Sequence, residues 1–149
     1  MKTIKVNAIK NGTVIDHITA GKVLKVIEIL NLADDSSVMI GMNLNSKKIG
    51  KKDILKIENR ELSKNEVNSI ALIAPKATLI IIKDFEVDSK ASLELQEHIE
   101  EHIICPNPQC ITNLESINSK FRIIQNTDVT ARCVYCEKKY LLDDLKIKI

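Results

Sequence analysis

The sequence predicts an α+β chain: an N-terminal ferredoxin-like antiparallel sheet with two helices over residues 1–92, then a small all-β domain over residues 93–149. Three observations carry this prediction. The hydrophobic periodicities of the first part spell the order β-α-β-β-α-β with one extra strand. All four cysteines lie after residue 104, so the last third is chemically distinct. Between the two, Asp88 to Ser92 are small and polar and suit a boundary.

The elements follow in chain order. Ile4, Val6 and Ala8 alternate with Lys5 and Asn7, the pattern of a half-buried strand. Lys10-Asn11-Gly12 signals a turn, and Thr13-Val14-Ile15 resumes extended structure. From Lys22 to Leu30 the apolar Val23, Val26, Ile27 and Leu30 keep helical spacing. Val38 to Leu44 and Ile54 to Glu58 read as strands joined by a basic, Gly-containing loop. The second helix is the clearest element. Ser63 and Glu66 make a capping box, Val67, Ile70, Ala71 and Ala74 line one face, and Pro75 stops it. Thr78 to Ile82 is rich in β-formers, and Phe85 to Val87 reads as a further strand. Leu93 to His102 suits a helical turn or an extended connector. Phe121 to Ile124 and Val129 to Ala131 supply strands to the last third.

The 149 residues suit one ordinary domain or two small ones. Hydrophobic residues at 44% and charged residues at 28% mark a globular chain. Isoleucine fills 24 positions while Phe, Tyr and Trp together fill four, so the core is aliphatic and no row of base-stacking aromatics exists. A formal charge of +2 is too small for bulk nucleic-acid binding. No apolar run approaches a membrane span, and Met-Lys-Thr-Ile-Lys lacks the apolar stretch of a signal peptide. The chain therefore reads as cytoplasmic, with neither membrane nor nucleic acid as a partner.

Four residues separate Cys105 from Cys110, twenty-two separate Cys110 from Cys133, and two separate Cys133 from Cys136. Two cysteine turns flanking a strand-rich stretch are what a tetrahedral tetrathiolate site needs. The second domain then reads as a zinc-binding domain holding one structural ion. Four protein ligands leave no position for water, so the metal holds a fold and performs no hydrolysis. Disulfides suit a chain without export signal poorly, and a C-x-x-C redox pair leaves two cysteines unexplained. A rubredoxin-like iron site has narrower spacing in its first pair. Iron, redox and free-thiol readings stay open beside zinc.

In the first domain Asp16 and His17 stand side by side at a strand end. Adjacent strand residues face opposite ways, so they make a poor catalytic dyad. Lys47, Lys48, Lys51 and Lys52 cluster around Gly50 and read as a solvated loop. Lys56 differs, lying within an apolar-alternating strand, and Lys90 follows the final strand. His98 and His102 have i,i+4 spacing without an evident third ligand and read as surface residues. There is no P-loop, G-x-G-x-x-G or G-x-S-x-G, and no catalytic constellation.

The residues resemble a known family, the regulatory chain of aspartate carbamoyltransferase. The run Ala8-Ile9-Lys10-Asn11-Gly12-Thr13-Val14-Ile15-Asp16-His17-Ile18 is similar to its N-terminal signature. Ile40-Gly41-Met42-Asn43-Leu44, Gly50-Lys51-Lys52-Asp53, Lys56-Ile57-Glu58-Asn59 and Ala74-Pro75-Lys76-Ala77-Thr78 follow in order. The cysteine turns Cys105-Pro106-Asn107-Pro108-Gln109-Cys110 and Cys133-Val134-Tyr135-Cys136-Glu137-Lys138 complete the likeness over the whole chain.

The resemblance implies a non-catalytic subunit whose N-terminal domain binds CTP, ATP and UTP and forms a homodimer. The zinc domain docks on catalytic chains, two trimers joining three regulatory dimers. Asp16 would bind the ribose hydroxyls and His17 would approach the phosphates. Lys56 would donate to base and ribose, and Lys90 would neutralise the triphosphate. Backbone groups near Ile9 and Phe85 would read the exocyclic amino group, and Val14, Ile82 and Val87 would form the apolar wall. Asn107 and Glu137 would contact the catalytic chains. Two positions depart: Ile80 replaces a polar Asn near the base and sugar, and Gln109 replaces an Asn in the first cysteine turn. The rival reading is a ferredoxin-like domain with a zinc ribbon that binds nucleic acid; near-neutral charge and missing aromatics oppose it.

Overall fold

The computed structural model describes residues 8–33 and 36–148. The expected strand at Ile4 and Val6 lies outside them, and Ala8 and Ile9 have no regular structure. The chain divides into two compact units, the first ending at Leu93 and the second beginning at Glu94.

In the first unit the elements are β1 (Gly12–Thr19), α1 (Val23–Leu30), β2 (Val38–Ser46), β3 (Gly50–Glu58), α2 (Lys64–Ile73), β4 (Thr78–Lys83) and β5 (Glu86–Ser92). The sheet order is β2-β3-β1-β4-β5, antiparallel throughout, which is the ferredoxin-like arrangement plus one edge strand. Ile15, Leu55 and Ile57 of the sheet pack with Val23, Val26 and Leu30 of α1 and with Ile70, Ala71 and Ala74 of α2. Burial of such aliphatic side chains stabilises the fold by about 1.5–3 kcal/mol each.

Two expectations change, and a choice left open between helical turn and extended connector is decided. The basic loop shrinks to a turn, because Lys51 and Lys52 belong to β3. Asp88 to Ser92 are an edge strand with every residue exposed, not a linker. The stretch after Leu93 is extended, with a short strand at His98–Glu100. His98 and His102 therefore lack the helix that would have stacked them.

The two helices begin differently. The Ser63 hydroxyl of α2 accepts from Glu66 N at 3.1 Å, and Ser63 N donates to Glu66 Oε1 at 2.9 Å. Lys22 at the start of α1 makes no side-chain cap. That end is capped from β3: Asp53, fully buried, accepts from Gly21 N at 2.9 Å and Val23 N at 3.1 Å. Its second oxygen accepts from Asn43 N at 2.8 Å.

The second unit has β6 (His98–Glu100), β7 (Ile103–Ile104), a one-turn helix α3 (Ile111–Leu114), β8 (Lys120–Gln125), β9 (Val129–Cys133), β10 (Lys139–Leu141) and β11 (Lys146–Ile147). One sheet runs β10-β9-β8-β6, and β11 pairs β7. Its strands make it β-rich, and the short α3 and a single 3-10 turn at Leu142–Asp144 are its departures from an all-β domain. Phe121, Ile99, Ile103 and Ala131 are buried there.

Candidate metal centre and ligand-binding face

Each cysteine turn is built by local hydrogen bonds. Cys110 N donates to Asn107 O at 3.0 Å, and the Asn113 amide donates to Cys105 O and Asn107 O, both at 2.8 Å. In the second turn Cys133 N donates to Lys138 O at 3.0 Å, and Glu137 N to Cys133 O at 2.9 Å. Glu137 takes a left-handed φ of 64°, which bends the chain back behind the ligands.

These turns bring the Cys105, Cys110, Cys133 and Cys136 sulfurs within 4.8 Å of one another. Cys105–Cys136 and Cys110–Cys133 are each 3.7 Å apart. A disulfide would need roughly 2.05 Å. A tetrahedron with metal–sulfur bonds of about 2.3 Å has edges near 3.8 Å, so the spacing fits a tetrathiolate zinc ion. The Thr112 hydroxyl, 3.2 Å from the Cys110 sulfur, can donate to a thiolate there. Burial pushes the Cys105 thiol up to about 12. Burial also raises Cys136, but the Lys138 amide, the Asn107 side chain and the neighbouring thiols outweigh it and bring it to about 7. Four packed sulfurs cannot all ionise without a cation among them. The donor set suits one structural metal ion, zinc, and offers no open coordination position.

In the first unit strand register decides which side chains meet. Met39, Lys56, Val14, Ile80 and Lys90 stand opposite one another across all five strands. The row at Gly12 holds Ile82 and Val87, and the row at Asp16 holds Thr78 and Ser92. Residues two apart share a face, and the alternate rows through Ile15 and Leu55 enter the core. Val14, Asp16, Lys56, Ile82, Val87 and Lys90 therefore share the face turned away from the helices. Lys56 and Lys90 lie three strand spacings apart, about 14 Å.

Asp16 and His17 do not oppose each other as alternation predicts. A bulge between Ile15 and Ile18 places His17 at φ 55°, so both side chains come to one side. His17 N donates to Asp16 Oδ1 at 2.7 Å, His17 Nδ1 lies 3.1 Å from Thr78 Oγ1, and Nδ1 is 4.0 Å from Asp16 Oδ2. Lys52 Nζ sits 2.8 Å from Asp16 Oδ1. Burial raises the Asp16 carboxyl, but the Lys52 ammonium and the His17 amide outweigh that and hold it below the usual range. Lys52 is the residue that sequence reasoning missed. Its signal was present: Lys52, Ile54 and Lys56 alternate on one strand, so Lys52 shares the Lys56 face.

Other expected residues are looser. Phe85 and Val87 are each 61% exposed, Lys90 is exposed and Ile9 half-buried. Phe85 N donates to Lys10 O at 2.9 Å, which ties the β4–β5 turn to the segment after Ile9. Asn107 is half-buried, and its side-chain oxygen accepts from Gln109 N at 3.1 Å. Glu137 is exposed. No helix is long and apolar enough to cross a membrane among the described residues.

The family model for the allosteric domain of the aspartate carbamoyltransferase regulatory chain matches residues 4–94. The model for the metal binding domain of the same chain matches residues 97–146. The chain is similar to three proteins named aspartate carbamoyltransferase regulatory chain. With that of Pyrococcus horikoshii it is 52% identical over 141 residues, 93% of each chain. With that of Thermococcus sibiricus it is 49% identical over 138 residues, 93% of this chain and 92% of the other. With that of Methanothermobacter thermautotrophicus it is 47% identical over 145 residues, 96% of this chain and 93% of the other.

Proposed function

The chain belongs to the aspartate carbamoyltransferase regulatory chain family, and from that membership we propose that it is a non-catalytic subunit that carries nucleotide signals to catalytic chains. CTP, ATP and UTP bind the helix-free face of the first unit. The base lies toward Ile9, Phe85, Ile82 and Val87, the ribose beside Asp16 and Lys56, and the phosphates toward His17, Lys52 and Lys90. The observation that carries this is the register. It aligns Lys56, Val14, Ile80 and Lys90 in one row and sets Asp16 in the next, on the face opposite the one that α1 and α2 cover. Several cations suit a triphosphate, whose charge one lysine cannot balance.

Two surfaces support the assembly reading. Edge strand β2 exposes Ile40, Met42 and Leu44, an apolar stripe on a sheet edge that no strand among the described residues pairs, and a second copy would cover it in the homodimer. Around the cysteines, Ile111 and Leu114 of α3 and Val134 and Tyr135 of the second turn are exposed beside Asn107 and Glu137. This apolar patch with a polar rim suits docking on catalytic chains, two trimers with three regulatory dimers. A bound zinc ion cross-links the two turns that present it. Effectors bound away from the chemistry act only through unequal affinity for two assembly states. CTP favours the less active state and ATP opposes it.

The test is calorimetric titration of CTP into the zinc-loaded chain, with ATP as competitor. Saturable CTP binding that ATP displaces supports a shared effector face. Binding of neither refutes it and leaves a zinc-dependent assembly subunit.

A further inference from the structure

We infer that Asn11 is a positioning residue for the base-reading end of the effector face, setting its preference for amino-bearing over keto-bearing bases. This rests on the effector reading above. Asp84 and Phe85 form the two-residue turn between β4 and β5, both left-handed at φ 50° and 66°. Both of their amides are held by the residues that follow Ile9. Asp84 N donates to the Asn11 side-chain oxygen at 3.1 Å, and Phe85 N donates to Lys10 O at 2.9 Å.

Asn11 is itself anchored, since its backbone carbonyl accepts from Asn59 N at 2.9 Å. Next to it, a Cβ added at Gly12 would lie 2.2 Å from Ile57 O, so the backbone here abuts β3 and cannot shift toward it. Beside the turn is an open groove of about 390 Å³ lined by Asn11, Gly12, Arg60, Ile81 and Asp84 among others. Hydrogen bonds, not packed side chains, therefore fix the turn on that side.

Asn11 thus sets the distance between the Ile9 segment and the Phe85 backbone. A two-residue turn leaves the carbonyls of its loop residues outside the strand ladder, available to a ligand. A carbonyl held in place accepts from an exocyclic amino group and opposes a keto oxygen, which presents only lone pairs. Loosening the turn weakens that discrimination and spares the phosphate contacts at the other end of the face.

The test titrates CTP, UTP and inorganic tripolyphosphate into the full zinc-loaded chain and its Asn11→Ala and Asn11→Asp variants. Asn11→Ala is expected to lower the CTP-to-UTP affinity ratio about five-fold, one hydrogen bond's worth, with tripolyphosphate affinity unchanged. Asn11→Asp keeps the acceptor oxygen, and although its charge weakens all three ligands it restores the ratio. An unchanged ratio in Asn11→Ala, or an equal loss for all three ligands, overturns the inference. If the unsubstituted chain binds neither nucleotide, the effector reading fails and this inference with it.

Discussion

Asp53→Asn tests how the first unit is held together. The parent carboxylate is fully buried and accepts three backbone amides at 2.8–3.1 Å, two on Oδ2 and one on Oδ1. An amide of the same shape has one acceptor oxygen. Placed toward Gly21 and Val23, that oxygen keeps the α1 cap as neutral hydrogen bonds. The NH2 group then faces Asn43 N, donor against donor. One charge-assisted bond of about 1.5–3 kcal/mol is lost, and a poorly solvated amide adds about 1–3 kcal/mol. The expected loss is about 3–5 kcal/mol, a large share of a small domain's stability. Urea denaturation of the zinc-loaded chain would measure it, with hydrogen exchange at Asn43 as the local report. A loss below about 1 kcal/mol, or Asn43 protection equal to the parent's, would refute the reasoning. Asp53→Ala, which strips all three amides, should fold worse still.

Chelation should unfold the second unit and leave the first, seen as loss of β-signal confined to residues after Glu94, because so small a core needs its metal. Zinc release should be faster at pH 5.5 than at pH 8, since the thiols must shed protons to ligate; pH-independent release would count against thiolate ligation. The lowered Asp16 carboxyl stabilises the fold above the ordinary aspartate value and loses that contribution as pH falls through its own. Urea midpoints of Asp16→Asn and parent should therefore differ at pH 6 and converge once the pH has fallen well below the ordinary aspartate value. Ile80→Asn puts an amide between Val14 and Lys90 and should shift CTP affinity about five-fold or more, read by calorimetry. Lys90→Ala should weaken triphosphate binding and flatten its salt dependence; unchanged affinity would remove Lys90 from the site.

Much was legible because local chemistry sufficed. The capping box of α2 needs only Ser63 and Glu66 three residues apart, and a helix start satisfies both amides within one turn. The four cysteines were readable because metal geometry demands ligands in pairs from tight turns, and few other pressures place them so. The element order of the first unit followed from alternation and helical spacing. The basic loop misled because charge alone does not separate a solvated turn from the polar face of a strand. Lys52 belongs to the second class.

The sequence by itself determined the element order, the α2 cap and the metal ligand set, since each rests on residues close along the chain or on chemistry with one common solution. Only the tertiary structure decided that Asp53 of β3 caps α1, which has no cap of its own. It alone set the bulge that turns His17 beside Asp16, and the register that aligns Lys56, Val14, Ile80 and Lys90. The physical reason is that cross-strand partners are chosen by packing of the whole core. A one-residue slip would exchange the two faces of a strand; alternation within a strand records which face is buried, but not which residues of its neighbours will stand opposite each position.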